Sequence, residues 1–124
     1  MNVVLWIIAG LLAAAFAAAG VMKLSQSKEK LAASGMAWTE DFSPGMVKLI
    51  GALELLAAVG LILPALLGVA PVLVPLAATG LALVMVGAIA THARRKEHQA
   101  IAVNVVLLVL AVFVAWGRFG PYSF

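Results

Sequence analysis

Residues 48–63 read KLIGALELLAAVGLIL, an almost unbroken apolar stretch with one carboxylate, Glu54, inside it. A helix of about 20 apolar residues crosses the roughly 30 Å hydrocarbon core of a bilayer, and this stretch supplies most of such a helix. An ionisable side chain at this depth costs about 2.5–3.5 kcal/mol on insertion scales, so it is normally paired, neutralised or hydrated. We therefore expect the rest of the chain to supply a partner for Glu54.

The composition is that of a membrane protein. Of the 124 residues, 65% are hydrophobic and 10% are charged, and the mean hydropathy is +1.17. Soluble domains are only about half apolar. The charged groups are too few to cover a core of this hydrophobicity, so the bilayer must solvate it. The chain contains no cysteine, which excludes disulfides, thiolate-ligated metal centres and a thiol nucleophile within it.

Four apolar segments predict an all-α membrane protein with four transmembrane helices in a single membrane domain, residues 1–124. Their approximate bounds are 3–22, 44–63, 71–90 and 100–116. Short connections predict an antiparallel four-helix bundle. The one long connection, residues 23–43, predicts an interfacial loop or a short helix that Gly35 ends, and Ser43 followed by Pro44 is typical of a helix start.

The first segment has a second interpretation, a cleaved signal peptide, because its alanines offer small-x-small cleavage patterns. No Lys or Arg precedes it, whereas a signal peptide needs a basic region there. Small residues instead favour a retained helix, since Gly10, Ala14 and Ala18 share a face that permits close packing. Gly80 and Gly87 form a similar face in the third segment. We expect both faces to contact neighbouring helices.

The polar residues of the four segments are predicted to form one layer. Lys23 ends the first segment, Glu54 lies about 12 Å into the second, His92 ends the third, and Asn104 lies about 6 Å into the fourth. Lys23 is the expected partner of Glu54, because its long side chain can reach inward. Glu54 is then either a proton- or ligand-binding carboxylate or a structural ion pair. His92 is either a proton relay, a ligand for an anionic head group or a solvated residue.

The connection after the third segment is basic. Its Arg94, Arg95 and Lys96 are candidate contacts for anionic lipid head groups, each worth about 1 kcal/mol near the surface. Three basic residues are too few for a nucleic-acid site. A bis-histidine haem is not expected, because His92 and His98 share this short loop, and no other metal site is predicted.

The sequence resembles the DoxX-like family of small bacterial four-helix membrane proteins over nearly its whole length. The resemblance rests on GVMKL at residues 20–24, GALELLAAVGLIL at residues 51–63 and a histidine, His92, that closes the third segment. The Gly-x-x-Lys and Gly-x-x-Glu patterns are its most specific parts. Some members are subunits of quinone-linked sulfur-oxidising enzymes, so the resemblance implies association with membrane redox complexes. The absence of cysteine argues against a direct sulfur relay.

Three functions remain open on the sequence alone. The first is an accessory or ligand-binding subunit of a membrane oxidoreductase, whose polar layer faces a quinone, a lipid head group or a partner subunit. The second is a small transporter or proton-coupled carrier that acts as an oligomer, although polar residues occupy only one half of the predicted spans. The third is a membrane enzyme that uses Glu54 with Lys23 or His92. Each is expected in the bacterial inner membrane.

Basic residues predict the topology. Seven of the eight Lys and Arg residues lie on the side of the first and third connections, and only Arg118 lies on the side of the chain ends. Cytoplasmic loops carry such an excess of basic residues. We therefore expect both termini outside the cytoplasm.

Single cysteines test this topology. An impermeant thiol reagent added to intact cells should label a cysteine introduced at Asn2 or Ser123. A cysteine at Ser34 should react only after the membrane is opened. Labelling of Ser34 in intact cells, with Asn2 and Ser123 protected, would reverse the assignment.

Overall fold

A computed structural model describes residues 1–33, 38–39 and 42–123, with the backbone alone for Lys28. Within these residues the chain forms five helices: α1 Asn2–Ser25, α2 Lys28–Ala33, α3 Pro44–Leu67, α4 Leu73–Arg94 and α5 His98–Phe119. All except α2 are long and apolar enough to cross a membrane. The predicted four-helix membrane bundle is thereby confirmed. We call the end with α2 and the α4–α5 turn the loop end, and the opposite end the terminal end.

The connection between the first two spans contains a short helix, as predicted. The hydroxyl oxygen of Ser27 accepts a hydrogen bond from the Lys30 backbone N–H at 3.2 Å, which satisfies a donor at the start of α2. Gly35, the predicted end of this helix, lies outside the described residues. The connection therefore adds a fifth helix at the loop end.

The start of α3 follows the predicted capping pattern, whereas its end differs. Ser43 caps the helix by accepting a hydrogen bond from the Met46 N–H at 3.1 Å, and Pro44 occupies the first turn. The helix continues through Pro64 to Leu67. It ends where Gly68 adopts a left-handed φ of 67° and Val69 N–H donates to the Pro64 carbonyl at 3.0 Å. The helix therefore extends beyond the predicted bound at residue 63, because it continues through Pro64 and ends only at the Gly68 cap.

The core runs along the bundle between the four long helices. Buried apolar side chains come from every span, among them Leu5, Leu12, Phe16, Leu61, Leu81 and Val114. Many apolar side chains on the outer faces are exposed, as expected where lipid rather than water surrounds the protein. This core separates the polar loop end from the terminal end.

Two glycines set the closest approach of α1 and α3. A Cβ atom placed on Gly20 would lie 2.6 Å from the Gly51 carbonyl oxygen, and one placed on Gly51 would lie 2.7 Å from Cβ of Lys23. Both distances are too short for real atoms, so the two backbones meet only because neither residue has a side chain. The Gly-x-x-Lys pattern of α1 and the Gly-x-x-Glu pattern of α3 therefore face each other across one interface.

The predicted small-residue faces are not used for packing within the bundle. No atom of a neighbouring helix lies within 4 Å of a Cβ built on Gly10, Gly80 or Gly87, and Ala14 and Ala18 are exposed. That expectation was wrong. Helix α1 instead turns its larger residues and Gly20 inward, because burying them removes more apolar surface and allows the approach to α3.

The α1–α3 pair meets the α4–α5 pair most closely towards the terminal end. A Cβ on Gly60 would lie 3.0 Å from Cβ of Ala77, and one on Gly117 would lie 2.7 Å from the Leu5 side chain. Beyond these contacts, the Arg118 guanidinium donates to Oδ1 of Asn2 at 2.7 Å. These contacts join the two pairs at one end. A cavity separates them at the other.

Glycine-to-alanine substitutions in α1 test this packing. Gly20→Ala should destabilise the protein by about 1–3 kcal/mol, the usual cost of overpacking, because α1 must move away from α3. Gly10→Ala, the same change in the same helix, should be neutral or slightly stabilising, since alanine favours helix and meets no neighbour there. Thermal unfolding in detergent measures both. Equal losses would contradict the assigned interface.

Candidate functional site

A cavity of about 470 Å³ lies at the loop end of the bundle. All four residues of the predicted polar layer line it, one from each span: Lys23, Glu54, His92 and Asn104. The remaining wall is mainly apolar, with Ile50, Val84 and Met85 among its residues. Ligand pockets in proteins usually have this volume range and this combination of apolar walls with a few polar groups. The structure thus brings together residues that are up to 81 positions apart in the sequence.

Lys23 and Glu54 form a buried ion pair at the base of this cavity. Nζ of Lys23 donates to Oε1 of Glu54 at 2.6 Å, and their side chains are 6% and 4% exposed. The prediction that Lys23 partners Glu54 is confirmed. The Gly20–Gly51 approach positions the pair, because each charged residue lies one helical turn after its glycine. Lys48 does not compete for Glu54, since its Nζ donates to the Leu24 carbonyl at 3.0 Å.

An aromatic side chain covers the other side of Lys23. The Trp38 ring centroid lies 5.5 Å from Nζ of Lys23, a distance at which the ring face attracts a cation. The same ring packs edge-on against Phe42 and His92, with centroid distances of 5.7 and 6.4 Å. Trp38 therefore touches a residue of α1 and a residue of α4 across the wider end of the bundle.

Asn104 brings an unused hydrogen-bond donor to the cavity. Its side-chain nitrogen is fully buried and has no hydrogen-bond partner in the part of the chain that the structure describes. Leaving such a group unsatisfied costs about 1–3 kcal/mol. A hydrogen bond to another helix or to Glu54 would satisfy this nitrogen, and neither is present among the described residues. Asn104 also lines the cavity, so this unpartnered nitrogen belongs to a residue of the cavity wall.

His92 is oriented by a residue that the sequence analysis did not single out. Its Nδ1 lies 2.9 Å from Oε1 of Glu97. Lys96 adopts a left-handed φ of 58°, which turns the chain back so that Glu97 N–H donates to the His92 carbonyl at 2.9 Å. An ionised carboxylate can only accept, so Nδ1 of His92 carries the hydrogen of this bond. Nε2 is then the acceptor nitrogen of the ring.

The three basic residues at the end of α4 and directly after it have different surroundings. Arg94 lines the cavity, whereas Nε of Arg95 lies 3.4 Å from Oε1 of Glu97. Lys96 is exposed. Lipid head-group binding by these residues stays a prediction, and Arg94 is the one of the three that borders the cavity. In the described ranges, no three His, Asp or Glu residues are grouped closely enough to hold a metal ion.

Comparison with known proteins identifies the family of the chain. The model of the DoxX-like family matches residues 7–114, a range that contains Lys23, Glu54, His92 and Asn104. No curated protein and no solved structure matches the chain.

Removing one charge of the buried pair tests its contribution to stability. Lys23→Met should destabilise the protein by about 3–5 kcal/mol, because Glu54 loses its cation in a low-dielectric site. The double variant Lys23→Met, Glu54→Leu should recover most of this loss. Lys48→Met, which removes an exposed lysine near the same end, should have a small effect. Unfolding in detergent compares the four proteins, and equal effects of the two lysine variants would contradict a buried ion pair.

Proposed function

The chain belongs to the DoxX-like family, and we propose that it is a ligand-binding accessory subunit of a membrane oxidoreductase whose cavity holds the head group of a quinone. The observation that carries this proposal is the cavity itself, about 470 Å³ at the loop end of a four-helix membrane bundle. A quinone has an apolar ring and tail with polar carbonyl oxygens. The cavity pairs an apolar wall with a small number of polar groups at one end.

The hydrogen-bonding groups of the cavity favour an acceptor ligand. Asn104 offers its buried N–H groups, and Lys23 carries a positive charge at the same site. A quinone carbonyl accepts hydrogen bonds and donates none, so it complements both. The Trp38 and Phe42 rings supply aromatic surface for a flat ring.

The apolar core argues for a binding site open to one end and against a passage through a single protomer. Leu5, Leu12, Leu61, Leu81 and Val114 are fully buried in the bundle. The cavities that Glu54, Lys48 and His98 line all lie at the loop end. A transport function would therefore need an oligomer.

Arg94 supports a second candidate ligand, the head group of an anionic lipid. Its guanidinium borders the same cavity that contains Lys23. An anionic phosphate would satisfy both cations and the Asn104 donor. With either ligand, we propose that the protein lies in the bacterial inner membrane. Its loop end then faces the cytoplasm, because cytoplasmic loops carry an excess of basic residues. We also propose that it binds a partner oxidoreductase.

Tryptophan fluorescence tests quinone binding. In a Trp6→Phe, Trp116→Phe background, Trp38 is the only tryptophan, and a benzoquinone with a ten-carbon tail should quench its emission saturably. Asn104→Leu should weaken binding about threefold to tenfold, the usual range for a lost neutral hydrogen bond. Glu54→Gln should weaken binding if the ionised pair positions Lys23 for the ligand, and its unfolding in detergent separates this effect from the destabilisation expected when Lys23 loses its carboxylate partner.

Controls separate the two ligands and exclude nonspecific quenching. The Trp38→Phe protein, which keeps Trp6 and Trp116, should show only the unsaturable quenching expected of quinone dissolved in detergent. Added phosphatidylglycerol should displace the quinone if lipid is the preferred ligand, whereas phosphatidylcholine should not. Saturable quenching that is unchanged in Asn104→Leu and Glu54→Gln would place the quinone outside this cavity and refute the proposal.

A further inference from the structure

We propose that His92, oriented by Glu97, is the proton-exchange group of this cavity, and that the ligand it serves carries an acidic hydroxyl group. The inference rests on the proposed ligand binding and extends it from a carbonyl ligand to one that gains or loses a proton. His92 lines the cavity, and its contact with Glu97 lies at the loop end. The pair thus connects the ligand site with the solvent side of the bundle.

The hydrogen bond to Glu97 prepares His92 to accept a proton. With Nδ1–H donated to the carboxylate at 2.9 Å, the lone pair is on Nε2. A carboxylate that holds one ring nitrogen fixes both the tautomer and the orientation of the imidazole. It also stabilises the imidazolium once Nε2 is protonated.

The proton balance is simple. When a protonated ligand binds, its O–H bond breaks and the Nε2–H bond of His92 forms, which leaves a ligand oxyanion beside an imidazolium. When the ligand arrives already ionised, His92 takes one proton from solvent and the same ion pair results. No electron transfer or further reactant is needed. The proton returns to solvent at the loop end when the oxyanion leaves.

The surrounding charges favour this ion pair. Charged groups near His92 come from α1, α3, the end of α4 and the α4–α5 turn, and they are Lys23, Glu54, Arg94, Arg95 and Glu97. Two of the cations are matched by the two carboxylates, at 2.6 Å for Lys23 with Glu54 and 3.4 Å for Arg95 with Glu97. Among the residues that the structure describes, Arg94 is the cation at the cavity that belongs to neither of these two pairs. A cation at the cavity wall favours an oxyanion over a neutral ligand.

Calorimetry with a matched pair of naphthoquinones tests the inference. The probes are 2-hydroxy-1,4-naphthoquinone, whose hydroxyl is ionised near neutral pH, and its 2-methoxy analogue, which cannot ionise. Titration at pH 8 in two buffers of different ionisation enthalpy gives the number of protons taken up on binding. We expect about one proton for the hydroxy compound and none for the methoxy compound, because an oxyanion beside Nε2 favours the imidazolium and an uncharged ether oxygen does not.

Three variants assign the proton. His92→Gln should reduce proton uptake with the hydroxy compound to near zero, and its affinity for the methoxy compound measures any loss of binding that does not involve the proton. Glu97→Gln retains a hydrogen-bond acceptor for Nδ1 but removes the charge, so the uptake should fall while methoxy binding is kept. His98→Gln is the matched control, because His98 is exposed and does not line the cavity, and its uptake should equal that of the wild type.

The outcomes separate the two proposals. Binding of both compounds with the same proton uptake in wild type and His92→Gln would overturn the role of His92 and leave ligand binding intact. Uptake that is lost in His98→Gln would also overturn it. If neither naphthoquinone binds the wild type in the cavity, the proposed quinone site fails and this inference fails with it.

Discussion

The buried ion pair of Lys23 and Glu54 is the interaction on which the rest of the bundle depends. Two charges in an apolar environment are tolerated only when they are close together and their remaining hydrogen-bonding capacity is satisfied. Here the 2.6 Å contact requires α1 and α3 to lie nearly backbone to backbone, which Gly20 and Gly51 allow. Trp38 covers the ammonium on its other side. The glycine contact therefore allows the ion pair to form, and the ion pair favours the close approach of the two helices.

The two ends of the bundle differ in how closely the helix pairs pack. At the terminal end, Leu5 against Gly117 and Arg118 with Asn2 join the two helix pairs. At the loop end, the pairs are further apart, and polar side chains from all four spans face the space between them. Rigid packing at one end and a lined opening at the other is a common way for a helical bundle to bind a small molecule.

The sequence was most informative where the physical constraint is strong. A carboxylate inside an apolar span needs a partner, and only Lys23 ended a neighbouring span with a reach long enough, so this contact was predictable. The Ser43–Pro44 helix start was predictable for a similar reason. The face of α1 that packs was not, because Gly10, Ala14 and Ala18 are as regularly spaced as a true contact surface. Spacing shows which residues share a face but does not show whether a helix lies against it.

The role of Glu97 could not be foreseen because it depends on one backbone angle. The left-handed conformation of Lys96 brings Glu97 back onto His92, and nothing in the side chain of a lysine favours that conformation. The packing of Arg118 was not foreseen either. It was counted only as the one basic residue on the side of the chain ends, whereas its guanidinium is buried beside Trp6 and bonded to Asn2.

The contact between Gly20 and Gly51 also constrains how the chain can change in evolution. A methyl group at either position would push α1 and α3 apart, and the separation would lengthen the Lys23–Glu54 contact that lies one turn away. A lineage that loses one of these glycines can therefore no longer keep both charges at low cost. The four positions should change together or not at all. Homologues with a bulkier residue at either glycine should carry an uncharged pair in place of the lysine and glutamate, and with it a different ligand.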